Sequence, residues 1–126
     1  MAKVLLIEPD KPLAAVYQQA LASAGHEVVV RHTAQSAIFA VDDGLPDLVL
    51  LELQLAAHSG IEFLYELRTY PEWQNVPVVV LSQIPAYELE SSFRLLRDQL
   101  GISSYHYKPQ VSLSQLLAIV EDSVKV

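Results

Sequence analysis

Four side chains able to do chemistry each follow a short run of strand-like residues. Glu8 follows Val4-Leu5-Leu6-Ile7, Glu52 follows Leu48-Val49-Leu50-Leu51, Ser82 follows Val78-Val79-Val80-Leu81, and Lys108 follows the less apolar segment from Ser103 to Tyr107. A carboxylate at the end of such a run packs badly, so Glu52 reads as a group placed for catalysis or ligand holding rather than for the core. Eight positions later Gly60 opens Gly60-Ile61-Glu62-Phe63-Leu64-Tyr65-Glu66-Leu67, so the chain around Glu52 reads strand, glycine turn, helix. That puts Glu52 at the carboxyl end of a strand, where open α/β sheets hold their ligands. Asp10 adds a carboxylate near Glu8, with Pro9 between them. Histidines 26, 32, 58 and 106 are dispersed over separate elements, which argues against a metal cluster. No glycine-rich phosphate loop, nucleophile elbow or zinc spacing is present, so an independent enzyme is not expected.

The elements that must position these groups follow from hydrophobic periodicity. Lys3 to Glu8 suits a strand buried on both faces and stopped by Pro9. Leu13, Val16, Tyr17, Ala20, Leu21 and Ala24 predict an amphipathic helix from Pro12 to Ala24 that ends at Gly25. Val28-Val29-Val30 predicts a second strand, and Thr33 caps a helix through about Val41. Pro46-Asp47 admits the third strand, the third helix runs from Gly60 to Tyr70, and Pro71 and Pro77 bracket the loop before the fourth strand. Leu89, Phe93, Leu96 and Leu100 predict a fourth helix up to Gly101; Ser103 to Lys108 predicts a fifth strand at an edge. Leu113, Leu116, Leu117, Val120 and Val124 form the stripe of a last helix, capped by Ser112 or Ser114. Five strand-helix alternations with apolar strands imply an α/β fold, a parallel sheet covered by helices on both faces with right-handed crossovers.

The bulk properties bound the function. A chain of 126 residues fits a single domain spanning 1–126. It has no cysteine, which removes disulfide and thiol chemistry and leaves a cytoplasmic location as the default expectation. Hydrophobic residues make up 52% and mean hydropathy is +0.27, yet no apolar run approaches the roughly 20 residues that span a bilayer. No secretory signal is read at the start, so no membrane association is expected. The net charge of −7 and the scattered bases Lys3, Lys11, Arg31, Arg68, Arg94, Arg97, Lys108 and Lys125 argue against direct nucleic-acid binding, which needs clustered cations.

The ordered segments Val4-Leu5-Leu6-Ile7-Glu8-Pro9-Asp10, Pro46-Asp47-Leu48-Val49-Leu50-Leu51-Glu52, Ser59-Gly60, Pro77-Val78-Val79-Val80-Leu81-Ser82 and Tyr105-His106-Tyr107-Lys108-Pro109 cover essentially the whole chain. Together they resemble the receiver domain of two-component response regulators. The resemblance implies a flavodoxin-like (βα)5 sandwich, with a five-stranded parallel sheet in order 2-1-3-4-5 and the site at the switch between strands one and three. In that family an aspartate at the position of Glu52 takes a phosphoryl group from a histidine kinase. Acidic residues at the positions of Glu8 and Pro9 join it in holding Mg²⁺. The positions of Ser82 and Lys108 contact the phosphoryl oxygens, Tyr105 matches an aromatic that couples the site to the output face, and the lysine-proline pair often has a cis peptide.

Two departures fall on the chemistry itself. Glu52 replaces the phosphoacceptor aspartate, moving the carboxylate one methylene farther out in a reaction that depends on close positioning. Pro9 replaces the second metal-binding acid, Asp10 is expected to point elsewhere, and Mg²⁺ tolerates poor geometry badly. Ala56 stands where proline is common, and Gln83 where a small residue is usual. The expectation is therefore an atypical pseudo-receiver: Glu52 a degenerate phosphoacceptor, Glu8, Pro9 and Asp10 an altered acidic pocket, and Ser82, Tyr105 and Lys108 retained switch positions. It has no cofactor and acts by binding protein partners, a histidine kinase or another signalling protein, or a second copy through the face of the fourth helix, fifth strand and fifth helix. Glu52 either pairs with Lys108 and locks one state or imitates the phosphorylated one. The weaker alternatives are a working phosphoacceptor that uses Mg²⁺, held by Glu8 and Glu52, and takes the phosphoryl group on Asp10 or Glu52, and a module similar to circadian-clock pseudo-receivers.

Overall fold

The computed structural model describes residues 2–55 and 59–124, so Ala56 and His58 lie outside the described residues. Strands β1 Lys3–Ile7, β2 Glu27–Arg31, β3 Leu48–Leu51, β4 Val78–Ser82 and β5 Ser104–Tyr107 form one parallel sheet in the expected order β2-β1-β3-β4-β5. The register pairs Ile7 with Leu51 and Leu51 with Val80, which brings the carboxyl ends of β1, β3 and β4 level with one another.

Side chains alternate across a strand, and here both faces of the sheet's centre are covered, which is why Val4 to Ile7, Leu48 to Leu51 and Val78 to Leu81 are apolar at every position, whereas the edge strands β2 and β5 carry polar residues. Leu5, Ile7, Val49, Leu51, Val78 and Val80 belong to one core, with α2 Ala34–Asp43 and α3 Gly60–Thr69 packed over it. Val4, Leu6, Leu48, Leu50, Val79 and Leu81 belong to the other, under α1 Lys11–Ser23 and α4 Leu113–Val124. Helix starts are fixed by side-chain oxygens that satisfy otherwise unpaired N–H groups. Asp10 accepts from Leu13 at 3.1 Å, Thr33 from Ser36 at 3.2 Å, Ser59 from Glu62 at 3.2 Å and Ser112 from Gln115 at 3.2 Å.

The expected fourth α-helix is irregular. Ala86–Ser92 is a 3₁₀ stretch and Leu95–Gln99 is π-helical, closed by the Leu100 N–H donating to the Leu95 carbonyl at 2.9 Å. The apolar spacing that predicts a helix does bury Leu96 and Leu100, but nothing between Ala86 and Ser92 is fully buried, and packing does not hold that half in α-helical register. β5 ends at Tyr107, and Lys108 begins a short 3₁₀ turn, Lys108–Gln110. Contrary to the family's frequent pattern, the Lys108–Pro109 peptide is trans, as are all those described. Among the described residues no helix is long and apolar enough to cross a membrane.

Candidate functional site

The level carboxyl ends of β1, β3 and β4, with the turn after β5, bring Glu8, Glu52, Ser82 and Lys108 into contact. All four are buried, with exposures of 3%, 2%, 0% and 6%. The Lys108 Nζ lies 2.5 Å from Glu8 Oε1 and 2.6 Å from Glu52 Oε1, so one ammonium bridges two carboxylates. The Ser82 hydroxyl donates to Glu52 Oε2 at 2.5 Å. Two backbone groups complete the set: Gln83 N–H donates to Oε1 at 3.0 Å and Gln54 N–H to Oε2 at 3.1 Å. A carboxylate offers about four lone-pair sites, and each Glu52 oxygen accepts twice.

This environment fixes the charge state. Burial by itself pushes the Glu52 carboxyl up, but hydrogen bonds from Lys108, Ser82 and the Gln54 N–H, with the Lys108 charge, outweigh it and hold the group below the ordinary carboxylate value. Burial likewise pulls Lys108 down, and its bonds to Glu52 and Glu8 more than reverse that, leaving the ammonium above its ordinary value. Both groups are therefore ionised around neutrality.

A hydrogen-bond path leaves the site toward β5. Ser82 Oγ accepts from the Ile84 N–H at 3.1 Å, and the Tyr105 hydroxyl donates to the Ile84 carbonyl. The Tyr105 ring meets Phe93 edge-on, with centroids 5.4 Å apart and planes at 88°. Tyr105 is thus tied both to the site and to the irregular helix over residues 86–99.

Of the residues singled out in the sequence, Asp10 and Pro9 stand outside the contact set. The Asp10 carboxylate caps α1, while its backbone N–H donates to Glu8 Oε2 at 3.1 Å. The sequence offers a Glu52–Lys108 pair as one of two alternatives and does not reveal the equal share of Glu8 in it, nor the N–H groups of Gln54 and Gln83. The two N–H groups leave no trace in residue type; the position of Glu8 opposite Lys108 was the available signal.

The donor set does not fit a resident divalent cation. Pro9 has no side-chain oxygen, and the Lys108 ammonium already occupies the space between the two carboxylates. Among the described residues no three His, Cys, Asp or Glu side chains gather as ligands.

The response regulator receiver domain family model matches residues 4–121. The transcriptional regulatory protein CpxR of Klebsiella pneumoniae is 33% identical over 109 residues, covering 86% of this chain and 44% of that protein. The KDP operon transcriptional regulatory protein KdpE of Escherichia coli is 32% identical over 109 residues, covering 86% and 45%. The chain thus spans less than half the length of these two relatives. The solved chemotaxis protein CheY4 of Vibrio cholerae shares the fold, with a TM-score of 0.86, 20% identity and 98% of each chain covered.

Proposed function

Given that this chain belongs to the response regulator receiver domain family, we propose that it is an atypical receiver module of two-component signalling, working through protein contacts without phosphorylation of Glu52. The observation that carries this reading is the saturation of Glu52. Attack on a phosphodonor needs an oxygen lone pair aimed at phosphorus, and the Glu52 lone pairs are engaged by Lys108, Ser82 and two N–H groups. The extra methylene and the missing acid at Pro9 weaken the same reaction further.

Ser82 and Lys108, the positions that the family uses to contact a phosphoryl group, both bind the Glu52 carboxylate. Glu52 therefore stands as a built-in substitute for a phosphorylated aspartate. It supplies one negative charge and two oxygens, where a phosphoryl group has roughly −1.5 to −2 and three. Burial makes up part of the difference, since charge-assisted bonds in a low-dielectric site are stronger than exposed ones. The path through Ser82 and Ile84 then holds the Tyr105 hydroxyl at the Ile84 carbonyl.

The output surface in this reading is the face of residues 86–99, β5 and α4, open to a signalling protein, a histidine kinase included, or to a second copy. Tyr87 is 72% exposed there, and a hollow of about 520 Å³ beside it is lined by Tyr105, Tyr107 and Ile119 among others. The test is incubation with acetyl phosphate and Mg²⁺ followed by intact mass. Unmodified protein is expected, and a species about 80 Da heavier in native but not Glu52→Gln protein overturns the reading. Unchanged self and partner association in both Glu52→Ala and Tyr105→Ala overturns the surface and switch assignment.

A further inference from the structure

On the side of the molecule where α2 and α3 run together, a groove of about 690 Å³ opens between the two helices. Its floor includes the buried Ile38 and Phe63, and Phe39 and Tyr65 stand at it with exposures of 64% and 50%. Glu62 and Glu66 also line it, and Asp42 and Asp43 share with Phe39 a neighbouring hollow bordered by Arg31. None of the lysines or arginines among the described residues lines the groove. Arg68, although on α3, spends its guanidinium on the carbonyls of Trp73, Gln74, Leu100 and Gly101. The groove touches none of Glu8, Glu52, Ser82 and Lys108, so it is independent of the site and of the output face.

We propose that this groove docks a cationic amphipathic helix from a protein partner. Two exposed aromatics over an apolar floor are what helix-in-groove recognition uses, with partner anchors at positions i, i+3 or i+4, and i+7. The groove is lined from Ala34 to Phe39 on α2 and from Glu62 to Thr69 on α3, a length of about 10 Å that accommodates roughly two turns of helix. Charge selects the occupant. Lys and Arg flanking the apolar stripe would meet Glu66, Asp42 and Asp43, whereas a second copy of this chain, itself at −7, would set acid against acid in a two-fold contact. Nucleic acid and anionic lipid are disfavoured for the same reason.

Phe39 and Tyr65 are exposed enough that truncating them opens no core, which gives a clean test. The full chain is titrated into a fluorescent synthetic helix of about sixteen residues with leucines on one face and lysines on the other. A glutamate-for-lysine counterpart and a scrambled leucine-lysine peptide serve as controls. The amphipathic cationic helix is expected to bind, to shift amide resonances on α2 and α3, and to weaken as salt is raised. The Phe39→Ala/Tyr65→Ala double variant should lose at least about tenfold in affinity. No binding, equal binding by the double variant or the scrambled peptide, tighter binding of the glutamate peptide, or self-association that the double variant abolishes would each overturn the proposal.

Discussion

Replacing Lys108 with methionine removes the ammonium from between two buried carboxylates while keeping the length of the side chain. The Nζ lies 2.5 and 2.6 Å from the two Oε1 atoms, so these are no more than about 5 Å apart. Two unit charges at that spacing repel by roughly 3 kcal/mol at an effective dielectric of about 20. Proton uptake limits the cost: protonating a carboxyl of ordinary value about 4.3 at pH 7 costs roughly 4 kcal/mol. With the lost attraction included, Lys108→Met should destabilise the fold by about 3–5 kcal/mol at pH 7. The pH dependence carries the diagnosis. In the variant the folded pair takes up a proton that the unfolded chain releases, so its stability should rise as pH falls from 7 to about 5.5, recovering roughly 2 kcal/mol. Urea unfolding of both proteins at the two pH values, followed by far-UV circular dichroism, measures this directly. A penalty under about 1 kcal/mol that ignores pH would refute the buried triad and reduce it to a screened surface pair.

Three further outcomes follow from the same geometry. In the native protein the Glu52 value is lowered, so its contribution is lost as pH falls below the ordinary carboxylate range; the Lys108 value is raised, so its contribution is present at neutrality and lost only above the ordinary lysine value. Melting temperature against pH should therefore be flat through neutrality and fall at both ends. A Cβ on Gly60 would sit 2.7 Å from the Leu53 Cα and 2.9 Å from the Glu52 carbonyl, both backbone atoms, so Gly60→Ala must move the exit of β3. It should cost about 1–3 kcal/mol in urea unfolding, where an unchanged midpoint would show that the loop yields freely. Finally, Pro9→Asp combined with Glu52→Asp restores an acid to the pocket and shortens the acceptor; the double variant should gain about 80 Da with acetyl phosphate only when Mg²⁺ is present, and neither single variant should match its rate.

Four apolar runs and a less apolar fifth, separated by turn residues, make the strands legible in the sequence, and the polar ends of four of these segments mark Glu8, Glu52, Ser82 and Lys108. Strand order came from the family resemblance, because alternation alone does not order a parallel sheet. The irregular helix over residues 86–99 escaped because apolar spacing reports which side is buried, not how the turns are closed; Leu96 and Leu100 are buried by a π-turn as well as by an α-turn. Asp10 caps α1, which begins at Lys11, one residue before the Pro12 start that the apolar periodicity predicts. The N–H donors of Gln54 and Gln83 were hidden for a different reason: a backbone group is present at every non-proline position, so only the fold decides which ones converge.

In the proposed function Glu52 is a permanent, fully bonded carboxylate that holds the path to Tyr105. Amide spectra of the native protein before and after addition of acetyl phosphate and Mg²⁺, recorded beside Glu52→Gln, test that most directly. Native resonances should stay in place with the reagents, and the substitution should move those of Gln54, Gln83, Ile84 and Tyr105. Reagent-induced shifts at these positions in the native protein that vanish in Glu52→Gln would contradict it.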